Sequence, residues 1–258
     1  MILPSSNLDL ENNIFSTLSL VYNKMINGTT GLGSNIAQLV SYTTGNGTIT
    51  LPDNFTHLLI LMGGWGGWGG GSDGSGYGAW GWAGGAFILA LRTKSQLTGN
   101  SLSYSIGSGG VGWGSGQPGS NGGNTTLTGS GVDLTASGGH GGHRGTSSRW
   151  GNDGLGVAPV IQYTNDIGIT GANGGSYASG YPTQTTFTFF GLGKGGINGP
   201  ESGAGSYDGV AGSPGYYYNN YLSSTDGSCS GGGGVGGYHS GTGGLGASGF
   251  LRIYYFYN

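Results

Sequence analysis

Apolar positions change rhythm along the chain, and each rhythm predicts a different element. Near the N-terminus Leu8, Phe15, Leu18, Tyr22 and Met25 fall on one stripe, widened by Ile14 and Val21. Their spacing of roughly 3.5 residues is helical. Ser6 is a suitable N-cap with Asp9 three residues on, and Asn27-Gly28 is a C-cap signal. A helix over about 8–26 is predicted. Its stripe either packs on its own domain or docks to another protein or to a second copy as a short coil.

Beyond Gly28 the rhythm becomes that of strands. Gly47-Thr-Ile-Thr-Leu51 is short and β-branched, and His57 to Met62 is a continuous apolar run. Ala86 to Leu91 reads the same way, as a strand buried on both faces. Leu102, Tyr104 and Ile106 alternate with Ser. Thr125 to Thr128 and Val132 to Thr135 predict a hairpin across Gly129-Ser-Gly131. The chain closes with Phe250 to Tyr257, where Leu251, Ile253, Tyr255 and Tyr257 share one face. These runs predict a β-sandwich.

Between the strands a third period takes over. Glycine recurs every third residue at Gly63, Gly66 and Gly69, with Gly64, Gly67 and Gly70 as a parallel file. The same step joins Gly78, Gly81 and Gly84; Gly116, Gly119 and Gly122; and Gly139, Gly142 and Gly145. It returns at Gly168 to Gly174, Gly193 to Gly199, Gly209 to Gly215 and Gly231 to Gly249. Three residues is the turn of the polyproline II helix, which rises roughly 3.1 Å per residue. Glycine at every third place removes a file of side chains, so that backbones can approach. Collagen needs long, proline-rich arrays for this, whereas here proline is 7 of 258 residues and each file is short. Many short polyglycine II helices, packed side by side with their N–H and C=O groups paired between neighbours, fit better. A flexible glycine linker would not keep this phase or interleave aromatics.

Composition sharpens this picture. Glycine supplies 65 of 258 residues, and charged residues only 7%. Such a balance often means disorder, but aromatics at 12% argue for a packed structure. The net charge of −3, with seven scattered Lys and Arg, argues against nucleic-acid binding. A single Cys229 excludes a disulfide framework within one chain and reads as a small hydrophobe. The segment Met1 to Asn7 has neither a basic n-region nor an apolar h-region, so no secretion signal is read there. No apolar run reaches the roughly 18 residues of a membrane helix.

Several of these pieces together carry a resemblance. Thr48-Ile-Thr-Leu-Pro52 is followed by the apolar run ending in Met62-Gly-Gly-Trp-Gly-Gly67. Then come Ser105-Ile-Gly-Ser-Gly-Gly110, Thr135-Ala-Ser-Gly-Gly-His-Gly-Gly142 and Gly246-Ala-Ser-Gly-Phe-Leu-Arg-Ile-Tyr254. This order resembles the glycine-rich domain of phage tail and tail-fibre proteins, over about residues 43–256. It also resembles the polyglycine II tip adhesins of T-even-type long tail fibres. The resemblance implies a mainly β fold: sandwich strands combined with packed polyglycine II helices, after one N-terminal α-helix. Residues 1–42, outside the likeness, are expected to be a helix and attachment segment, and 43–258 the glycine-rich domain. The resemblance further implies a virion protein, made in the host cytoplasm, whose loops contact a host surface receptor, either an outer-membrane protein or a glycan. Residues 1–42 would join other fibre or virion proteins, and a homo-oligomer is possible. A purely structural virion protein, such as a tail, fibre or capsid decoration, is the alternative.

Catalytic chemistry finds little support. His140-Gly-Gly-His143 lacks two further metal ligands nearby. Gly63 to Gly70 lacks the Lys-Ser/Thr ending of a phosphate loop. No Gly-x-Ser-x-Gly elbow has credible His and Asp partners, and Glu201 and Asp208 are not a convincing carboxylate pair. No enzyme activity and no cofactor are expected.

The informative places are where the glycine register breaks. One break holds Trp150, with Val157 to Asp166 beyond. A second holds Tyr177 and Tyr181, a third Tyr207, and a fourth Tyr216, Tyr217, Tyr218 and Tyr221. Tyr, Ser, Gly and Asn are what binding loops favour, because tyrosine gives contact area at low entropy cost. These eight aromatics are the candidate receptor contacts. The other reading is that they cover the sandwich and one another.

Overall fold

The computed structural model describes residues 36–67, 83–108, 117–142, 156–171, 216–218, 221–223 and 248–257. The helix expected over 8–26 lies outside them. The strands are Ile36–Tyr42 (β1), Asn46–Thr50 (β2), Phe55–Gly63 (β3), Phe87–Thr93 (β4), Ser101–Ser105 (β5) and Thr125–Gly129 (β6). Val132–Ala136 (β7), Ile167–Ile169 (β8), Tyr216–Tyr218 (β9), Tyr221–Ser223 (β10) and Phe250–Tyr257 (β11) complete the set.

The fold of the described residues is mainly β. One sheet has the order β1-β11-β3-β4-β8 and a second the order β2-β5-β6-β7. All pairings are antiparallel. The closing strand β11 is inserted between β1 and β3, which ties the end of the chain into the middle of the larger sheet.

The two sheets differ because their sequences differ. The smaller sheet alternates: in β5, Leu102 is buried while Ser101, Ser103 and Ser105 are exposed. One face meets the core and the other meets water. The larger sheet is buried on both faces. Leu58, Ile60 and Met62 of β3, Ile88 and Ala90 of β4, and Leu251, Ile253 and Tyr255 of β11 meet Ile49, Leu102, Leu127, Leu134 and Ala136 of the smaller sheet. The intervening residues Leu59, Phe87, Leu89, Phe250 and Phe256 form a second apolar cluster on the opposite face. This is why His57 to Met62 reads as a continuous apolar run and the Ser-rich strand as an alternating one.

The β6–β7 hairpin forms as expected, with Gly129 paired to Val132. Its two loop residues, Ser130 at φ 48 and Gly131 at φ 81, give the twist that tight hairpins need. Ser130 tolerates this conformation because its hydroxyl bonds both backbone groups of Ser101, at 2.6 and 3.0 Å.

Two strands of the sandwich go beyond the sequence reading. Ile36–Tyr42, grouped on sequence with the attachment segment, pairs along β11 and so belongs to the larger sheet. Ile167-Gly-Ile169 adds the short opposite edge beside β4.

Candidate recognition surface

Past one end of the sandwich the strands run on as segments 64–67, 83–86, 119–123 and 137–142, which carry neither strand nor helix assignment. The ladder registers persist. Gly63 pairs with Phe87 in the sheet, and beyond it Gly64 N–H donates to Ala86 O at 2.8 Å and Gly67 N–H to Ala83 O at 3.0 Å. Likewise Gly122 N–H donates to Gly139 O at 2.9 Å and Gly119 N–H to Gly142 O at 2.8 Å. The bonds to one neighbour now recur every third residue instead of every second.

Trp65, between two of these donors, and several of the acceptor residues themselves bond across to the other sheet. Trp65 N–H donates to Gly123 O at 3.1 Å, and Gly139 N–H donates to Trp65 O at 2.9 Å. Ala86 and Ala83 donate to Ser137 O and His140 O at 2.8 and 3.3 Å. Each segment thus has partners in more directions than a strand allows. A Cβ on Gly64 would sit inside the contact radius of the Ser137 carbonyl oxygen, and one on Gly138 inside that of Gly122. Glycine is required here by the closeness of the backbones. The arrangement leaves few side chains with which to bind anything.

On the flank, residues 156–166 form a pinned loop. Val160 makes both bonds of a bridge to Thr135, at 2.8 and 3.1 Å. The Gln162 side chain donates to Gly131 O at 2.7 Å and accepts from Asp133 N–H at 3.2 Å. Asp166 Oδ2 accepts the N–H groups of Gln162 and Tyr163. Its carboxylate also takes a two-pronged ion pair from Arg92, at 2.5 and 2.7 Å, with both side chains almost wholly buried. The Tyr163 ring lies 4.6 Å from the Arg92 guanidinium carbon. Val160, Ile161 and Tyr163 nevertheless remain exposed. The sequence reading noted the stretch but singled out none of these residues. Its only signal is an uncharged, β-branched run after Pro159.

The tyrosine-rich break is a hairpin of strands. Tyr218 pairs with Tyr221, Tyr217 with Leu222 and Tyr216 with Ser223. Four of the eight candidate contacts are therefore neighbours in one two-stranded ribbon. Trp150, Tyr177, Tyr181 and Tyr207 lie outside the described residues.

Among the described residues, Tyr255 and Tyr42 titrate away from their usual range. Burial, followed by the neighbouring hydroxyls of Tyr42 and Tyr257, pushes Tyr255 up to about 12. Tyr42, stacked 4.1 Å from Tyr104, is raised by burial first and by Tyr104 second. Among the described residues no three His, Cys, Asp or Glu side chains gather as a metal site, and His140 is exposed. No helix among them is long and apolar enough to cross a membrane.

The described residues thus form an antiparallel two-sheet scaffold, prolonged by glycine-rich segments joined backbone to backbone. The chain belongs to the glycine-rich domain family, whose pattern matches residues 42–256. A search among curated proteins finds no similar sequence.

Proposed function

We propose that this chain is a non-enzymatic virion protein of the tail fibre, seated at its tip, that recognises a receptor on the host surface. The observation that carries this reading is the three-residue step of the hydrogen bonds among segments 64–67, 83–86, 119–123 and 137–142. That step is the period of polyglycine II helices, and it supports reading the segments as a short packed array of them. Together with the resemblance to tail-fibre adhesins, it suggests a stiff platform whose own surface is nearly featureless. Recognition then falls to insertions that break the register, led by the hairpin of Tyr216 to Ser223. Loops held on a rigid scaffold can change sequence without disturbing the bonds beneath them. The part of residues 1–42 that precedes β1 serves as the mount onto the fibre.

Competition tests the reading. Purified protein added to host cells should block adsorption of the parent virion, and gold-labelled antibody should mark fibre tips. Folded protein that neither binds cells nor blocks adsorption would leave the chain as a structural component of the particle.

A further inference from the structure

The four sheet edges of the sandwich are treated unequally. On one flank, β7 is covered by the Val160 bridge and by Gln162, and β8 is only three residues long. Short or covered edges resist pairing with another chain. On the other flank, among the described residues, β1 pairs only with β11 and β2 only with β5. β1 carries a register shift between Ile36 and Leu39, which blunts it. β2 carries no such device: Asn46 to Thr50 pairs with β5 in five consecutive register positions without a break. Nor does charge guard this flank, since no Lys, Arg, Asp or Glu occurs between Met25 and Pro52.

We propose that the β2 edge is a self-association surface, where a second copy adds its own β2 antiparallel to the first. The argument for a second copy is one of charge. About a two-fold axis, every residue near the axis meets its own copy or a close neighbour, so a charged edge repels itself and an uncharged one does not. Full overlap sets Thr48 opposite Thr48 of the copy and Asn46 opposite Thr50. All three residues are exposed, so they are free to meet a partner. The pairing joins two four-stranded sheets into one of eight strands. It stands independently of the receptor reading, since it uses the opposite property of the fold, an edge that no other described residue covers rather than a side-chain-rich loop. A pair of five-residue strands buries less than the roughly 1,200 Å² of a standard interface, so the dimer is weak, with a Kd on the order of 10 µM.

Sedimentation velocity over a range of concentrations tests this with the full chain. Wild-type protein should shift from monomer to dimer. The variants Thr48→Lys and Thr48→Glu, each melting like wild type, should weaken the dimer about tenfold or more through like charges at the axis. An equimolar mixture of the two should dimerise again, which a merely local structural effect would not produce. Wild type that stays monomeric up to about 1 mM, or single variants that dimerise like wild type, would overturn the proposal. Should either Thr48 variant fail to fold, the double variant Asn46→Lys with Thr50→Lys places like charges at the flanking positions. A wild-type dimer there would overturn it equally.

Discussion

The sandwich and its glycine-rich extension share the same ladders but fill the space between them differently. Where Leu134 and Leu127 face Ile60 and Ile88, apolar side chains hold the two sheets apart and exclude water. A few residues further on the same chains carry Gly64, Gly67, Gly122 and Gly139, and the sheets bond directly to one another through Trp65, Gly123 and Gly139. Removing side chains does not end the core. It replaces burial of apolar area by hydrogen bonds that must all be satisfied once water is excluded. The first kind of core tolerates a lost methyl group. The second should not tolerate a gained one.

The largest effect should therefore come from adding atoms at the glycine end. Gly64→Val places a branched side chain against the Ser137 carbonyl, which belongs to backbone and cannot turn aside. We expect a loss of about 4 kcal/mol or more, the range reserved for overpacking or strain. Leu134→Ala, in the side-chain core, should cost about 3 kcal/mol. Thermal melting of both checks the ranking. A Gly64→Val protein that melts above Leu134→Ala would mean that the segments can separate without loss.

Next is the ion pair that anchors the flank loop. Asp166→Ala leaves the buried Arg92 guanidinium without its carboxylate and frees two backbone N–H groups, and should cost about 3 kcal/mol. Replacing both partners, as Arg92→Leu with Asp166→Leu, should recover part of the loss, because no charge is left buried and unpaired. A double variant as unstable as the single one would show that the backbone bonds to Asp166, not the charge pair, carry the cost.

Much of this contrast was legible in the sequence, and what was not has physical causes. Continuous and alternating apolar runs reported two-sided burial in β3 and β4 and one-sided burial in β5; β11 was marked as a strand by its alternation, although Phe250 and Phe256 bury its second face too. Ile36–Tyr42 escaped notice because its apolar residues, at 36, 37, 39, 40 and 42, follow no period of two. The bulge in its pairing with β11 accounts for part of that irregularity. Ile167-Gly-Ile169 is too short to show a pattern, and its glycine is needed because Pro159 and Ile161 lie against it. The glycine period was visible, but not which segments would be neighbours. Nor are all the bonded residues glycines: Ala83 and Ala86 occupy bonding positions between segments. The Arg92–Asp166 pair spans 74 positions, a separation at which local pattern carries no signal. Among the candidate contacts, the sequence around the four tyrosines near 216–221 predicts a loop, and the pairing of β9 with β10 makes them a ribbon.

A smaller effect separates the two regions by pH. Tyr255 lies in the side-chain core. Its folded value is raised to about 12 from 10.0. The native state therefore keeps a proton that the unfolded chain gives up, so stability is full below pH 10 and falls as pH rises towards 12. Tyr42 shifts in the same direction and adds to the loss. A decline on the order of 2 kcal/mol is expected over that window. Tyr255→Phe should flatten it, and chemical denaturation measured at intervals between the two pH values checks this. A slope unchanged in the phenylalanine variant would assign the loss to other groups.

The smallest effect on stability should accompany the largest on recognition. Tyr216, Tyr217, Tyr218 and Tyr221 lie in a two-stranded sheet that is separate from both sheets of the sandwich. The pairing of two three-residue strands contributes little to global stability by itself. A tyrosine anchor buried at an interface is worth roughly 2 kcal/mol on truncation, about thirtyfold in affinity. Changing all four residues to Ser should leave the melting temperature close to that of wild type and abolish competition with virions for host cells. Intact competition by the folded quadruple variant would move the receptor contact to another break in the register, and a collapse in melting temperature would instead make the ribbon part of the scaffold.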